Sequence, residues 1–67
     1  MTAEEFEQLS ASEAKNIIHW RFHELMEGGF HLEDALKLAL AMHVDLRAAS
    51  RLLQHGCPPE TALRILL

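Results

Sequence analysis

The sequence offers little that could staple or anchor a fold: one cysteine, two prolines, one tryptophan and no tyrosine in 67 residues. Cys57 has no partner for an internal disulfide, and no paired Cys or Cys/His spacing forms a zinc site. A chain this short is near the lower limit at which one apolar core suffices, so its stability must come from helix packing or self-association. No apolar run approaches membrane-spanning length, and Thr2-Ala3-Glu4-Glu5 after Met1 lacks the basic and apolar regions of a secretory signal. The expectation is a reducing, cytoplasmic setting and no membrane partner. Strand-like alternation, repeats and low-complexity segments are absent. Basic character is also scarce: the formal net charge is -4, which counts against a general nucleic-acid binder. The charge is uneven, with Glu4, Glu5, Glu7 and Glu13 against Lys15 early in the chain and Arg47, Arg51 and Arg64 against Asp45 and Glu60 late in it.

What is present is helical patterning. From Leu32 to Met42, Leu32, Ala35, Leu36, Leu38, Ala39, Leu40 and Met42 cover more than half of a helix circumference, leaving Glu33, Asp34 and Lys37 to water. The pattern predicts a central helix over 32–42, buried on at least two sides. Gly28-Gly29 ends the preceding helix and turns the chain, with Phe30 falling into the joint. Thr2-x-x-Glu5 and Ser10-x-x-Glu13 are capping boxes that predict helices over about 3–9 and 11–27. The core stripe of the second is Ala14, Ile18, Phe22 and Leu25, flanked by Ile17 and Met26. Asp45 is an N-cap for a helix over about 46–55 that ends at Gly56. Its inner face is Leu46, Ala49, Leu52 and Leu53. Pro59 opens a last helix over about 59–66.

Trp20 lies opposite the core stripe, among Glu13, Asn16, Glu24 and Glu27. Either the first helix folds back so that Phe6 and Leu9 cover it with Ile17, or a partner does, a second copy of the chain included. His19, His23 and Glu27 follow one ridge at spacing four, a geometry acceptable to a metal ion but weakly specific, and the reading is a polar ridge with no metal or cofactor. His55 near Cys57 is the nearest approach to a nucleophile and base, yet a helix end followed by two prolines parts such side chains, and four small helices leave little room for a substrate. No catalytic residue is assigned. Gly28-Gly29 ends a helix rather than following a strand, so it is not a phosphate loop. Arg47, Arg51, Gln54 and His55 share the outer face of the fourth helix, which follows a tight turn and could enter a DNA major groove.

Phe22, Leu25, Gly29, Phe30, Ala35 and the run Asp45-Leu46-Arg47-Ala48-Ala49-Ser50-Arg51-Leu52-Leu53 fall into the spacing of a ubiquitin-associated domain. Residues 22–53 resemble this UBA-like family. The resemblance implies a three-helix core and a docking role, with Gly29, Phe30, Leu52 and Leu53 at the family's binding surface. Gly28 stands where the family's loop methionine would be, which tells against ubiquitin itself as the partner.

The expectation is a single all-α domain, a small helical bundle with a UBA-like three-helix core and a short extra helix at each end. Its expected function is non-enzymatic protein binding through Trp20, Gly29, Phe30, Leu52 and Leu53, as an adaptor or regulator. The alternative is a DNA-binding regulator using Arg47, Arg51, Gln54 and His55. Apolar residues outnumber the helices able to cover them, so a homodimer through Trp20 or the terminal helix is also expected.

Overall fold

The computed structural model describes residues 2–67, which form five helices and no strand: α1 (Ala3–Glu7), α2 (Ala11–Glu27), α3 (Leu32–Leu40), α4 (Leu46–Gln54) and α5 (Pro59–Leu66). Most helix starts carry a chemical mark. The Glu5 N–H donates to Thr2 Oγ1 at 3.1 Å and the Arg47 N–H to Asp45 Oδ1 at 2.9 Å, each satisfying a donor that the helix itself leaves free. At α2 the Glu13 N–H donates to Ser10 Oγ at 3.2 Å, and the Ser10 hydroxyl donates to Glu13 Oε1 at 2.8 Å. The Glu13 carboxylate therefore holds the capping hydroxyl and does not reach back to the Ser10 backbone. Pro59 begins α5, where its missing N–H costs no hydrogen bond.

Two helices end on glycine. Gly29 takes φ +112°, the Phe30 N–H donates to the Leu25 carbonyl and the Gly29 N–H to the Met26 carbonyl, each at 3.1 Å. This is a Schellman motif, and its customary apolar contact is supplied by Leu25 and Phe30, both in the core. Gly28 keeps a right-handed conformation, so only one of the two glycines performs the turn. Gly56, at φ +87°, ends α4 the same way, with Cys57 donating to Leu52 and Gly56 to Leu53. The Cys57 thiol donates to the Pro58 carbonyl at 3.6 Å, within the turn that follows.

α3 has no such glycine. It stops at Leu40, two residues before the expected end, and its last carbonyls are capped from another helix. Arg21 of α2 donates from Nε to the Ala39 carbonyl at 3.0 Å and from Nη2 to the carbonyls of Leu38, Ala41 and Val44 at 3.2, 3.1 and 3.0 Å. The Leu38 and Ala39 carbonyls would otherwise receive the N–H groups of residues 42 and 43 in a continuing helix. Arg21 takes their place and also fixes the turn into α4.

The core is Leu25, Phe30, Ala35, Leu38, Ala39, Val44, Ala49 and Ala62, walled by half-buried Ile18, Phe22, Leu46, Leu52, Leu53, Leu63 and Leu66. Four of the eight core residues are alanines, which bring helix axes close together. α2 packs chiefly on α3 and also on α4, and α5 closes the bundle against α3 and α4.

Four further expectations are corrected. α1 ends at Glu7, because Gln8 and Leu9 bond back to Glu5 and Phe6 in a tightened last turn. α4 ends at Gln54, since His55 is already the cap residue of its glycine turn. Phe30, placed at a docking surface by the family resemblance, is 3% exposed and belongs to the core, in the joint to which the glycine turn was expected to send it. α3 is buried on one face only: Leu38, Ala35 and Ala39 are inside, while Leu32, Leu36 and Leu40 are 59%, 45% and 56% exposed.

Candidate protein-binding groove

Trp20 is 58% exposed. Phe6 does not reach it but borders a hollow with Ala11, Ala14, Lys15, Ile18 and His19, around the helix from Trp20. The indole faces α4 instead. Trp20 and Glu24 of α2 form one wall of a groove of about 430 Å³, and Leu46, Arg47, Ser50, Arg51 and Gln54 of α4 form the other. Beyond Trp20 the groove continues past Arg21 and the turn Met42–Asp45.

The groove has a local cause. Trp20, Glu24 and Gly28 lie at spacing four on one ridge of α2. A Cβ on Gly28 would stand 3.1 Å from Ser50 Oγ, so the absent side chain lets α4 approach at that end. At the other end Arg21 fixes the 41–45 turn from which α4 starts. The large indole occupies the space between, leaving apolar surface from Trp20 and Leu46 beside the guanidinium groups of Arg47 and Arg51.

Arg47, Arg51 and Gln54, assigned from sequence to an outer face, are therefore brought to Trp20. His55 is not: it turns toward α5 and borders a separate hollow with Ala48, Arg51, Leu52, Ile65 and Leu66. Of the residues at the family-like surface, Gly29 is exposed and Leu53 half-buried beside it, since a Cβ on Gly29 would meet Leu53 Cδ1 at 3.3 Å. Leu52 is half-buried against the core, and Phe30 is itself in the core. Sequence placed Glu24 beside Trp20 and Leu46 on the inner face of α4 but assigned neither, nor Ser50, to a binding site, although the ridge Trp20–Glu24–Gly28 carried a signal for the first of them.

Arg21 was also missed. It stands on the core stripe, three residues after Ile18 and four before Leu25, a position where a charged side chain needs partners inside the fold. Burial lowers its pKa below the ordinary guanidinium value, and the charge of Asp45 opposes that shift. The four carbonyls explain why the position is charged.

His19 and His23 meet with Nε2 atoms 3.1 Å apart and rings 4.6 Å apart. Glu27 does not join them, and among the described residues no three His, Cys, Asp or Glu side chains gather around a point where a metal ion could sit. No helix among them is long and apolar enough to cross a membrane. Compared with family models, curated proteins and solved structures, the chain matches none.

Proposed function

We propose that this protein is a non-enzymatic, cytoplasmic interaction module that takes a peptide segment of a partner protein into the Trp20 groove. The single observation carrying this reading is an uncovered indole set between two helices beside Arg47 and Arg51. Tryptophan and arginine are the residue types that most often dominate binding energy at protein interfaces. The groove chemistry calls for an apolar side chain against Trp20 and Leu46, followed by a carboxylate directed at Arg47 or Arg51. The UBA-like spacing of residues 22–53 supports a docking role, and the nearness of Gly29 to Leu53 is compatible with it.

The alternative, nucleic acid, draws support from the same feature, since an indole beside two guanidiniums is a surface on which a base can stack. Glu24 in the groove wall and the net charge of -4 favour the peptide. Selection of binders from a random peptide library against the full chain separates the two. The expected ligands carry apolar and acidic residues in sequence and shift the emission of the sole tryptophan to shorter wavelength. Their affinity should fall at least about tenfold with Trp20→Ala or Arg51→Glu. Peptide binding indifferent to both substitutions overturns the reading. Salt-dependent binding of DNA, lost in Arg47→Ala/Arg51→Ala, would replace it.

A further inference from the structure

The groove leaves unexplained an extended apolar surface, the outer ridge of α3. Leu32, Leu36 and Leu40 are each about half exposed or more and succeed one another at spacing four, so they form a single ridge along the helix. The face that adjoins the ridge, Ala35, Leu38 and Ala39, is fully buried, which fixes α3 rotationally and prevents the leucines from turning inward. None of the groove-lining residues comes from α3. The exposed parts of the three leucines amount to roughly 300 Å², a size at which an apolar patch is commonly a binding feature.

We propose that this ridge is the interface between two copies of the chain, with α3 packed antiparallel against α3 across a two-fold axis near Leu36. Two features of the sequence make the ridge complementary to itself. The leucines are symmetric about Leu36, so an antiparallel partner sets Leu32 of each copy beside Leu40 of the other. The only exposed charges on α3, Glu33 and Lys37, lie on the same flank, about 60° and 100° around the helix from Leu36. A two-fold axis normal to the plane of the two helices keeps that flank on the same side in both copies. It also brings Glu33 of one copy to within about 3 Å, along the helix axis, of Lys37 of the other. The pairing is reciprocal: two opposite-charge contacts form, and the leucines between them leave water. In a parallel pair the two-fold axis would run along the helices and put the charged flanks on opposite sides of the seam, so Glu33 and Lys37 would not meet. With the flanking stems included, the interface lies at the small end of specific ones, and the dimer forms in the micromolar range. Self-association is thereby assigned to α3, and Trp20 is left to the groove.

Sedimentation of the full chain over about 1 to 200 μM tests the proposal. The expected result is a monomer–dimer equilibrium that Leu36→Glu weakens at least about tenfold and Trp20→Ala leaves unchanged. All four substituted side chains are exposed on the monomer, and helical circular dichroism confirms that each variant is folded. Glu33→Lys and Lys37→Glu, each of which places like charges across the axis, should each be monomeric alone. Mixed one to one they should form a heterodimer. A chain monomeric throughout the range, a dimer that survives Leu36→Glu, a dimer abolished by Trp20→Ala, or two charge variants that fail to combine each overturns it. Because Trp20 and Leu36 lie on separate surfaces, peptide binding by the Leu36→Glu chain reports on the groove independently.

Discussion

Arg21 is the residue on which the course of the chain from α2 to α4 depends. Its guanidinium supplies donors to four carbonyls that include two at the C-terminal end of α3, where a positive charge is also favoured by the helix dipole. Arg21→Met keeps the aliphatic stem and removes every donor. The expected loss is about 3 kcal/mol, because the Ala39 and Val44 carbonyls are left without partners while those of Leu38 and Ala41 keep a backbone donor, set against a total of about 3 to 10 kcal/mol for a chain of this length. Urea unfolding measures it, and a loss below about 1 kcal/mol would contradict the capping role. Arg21→Lys should recover only part, since an ammonium cannot span the same acceptors. A base whose pKa is lowered on folding binds its proton less tightly in the folded state, so linkage from Arg21 is confined to strongly alkaline pH. The titration of Arg21 itself accordingly adds no pH dependence through neutral and acid pH. Gly29 gives a second test at this scale. Gly29→Ala forces an L residue to φ +112° and presses on Leu53, so a loss of about 1 kcal/mol or more is expected, read as a fall in Tm of roughly 4–8 °C. Gly28→Ala, at a right-handed position, should lower Tm less.

Among the elements, the capping residues Thr2, Ser10 and Asp45 and the glycines Gly29 and Gly56 were legible because they act on their immediate neighbours. The end of α3 was not, because what ends it is a side chain at least 17 residues away in sequence. α1 is the element least tied to the rest. It contributes no residue to the core or its wall, and only Phe6 leans on α2, at the hollow beside Ala14 and Ile18. The molecule accordingly extends 37 Å in one direction and 18 by 16 Å across. Removing residues 1–9 should lower Tm by no more than about 4 °C, and the amides of α1 should exchange far faster than those of α3. A fall beyond roughly 10 °C in a thermal melt would make α1 part of the cooperative core.

For the whole molecule, the sequence by itself determined the helical class, the order of five helices and most of their ends, because apolar periodicity, caps and breakers are local quantities that need no knowledge of packing. It also marked Trp20 as lying off the core stripe. Only the tertiary structure decided what surrounds that indole, since α1 and α4 were both able to approach it and the choice rests on the Gly28–Ser50 contact and the turn that Arg21 holds. Packing likewise decided which half of the leucine-rich α3 is core. Six apolar side chains around one helix are nearly equivalent by composition, and the close fit of Ala35 and Ala39 against neighbouring helices selects their face for burial. Phe30, by contrast, followed from a local cause: the left-handed turn at Gly29 directs the next side chain back over Leu25, so a residue whose spacing matched a docking surface is part of the core.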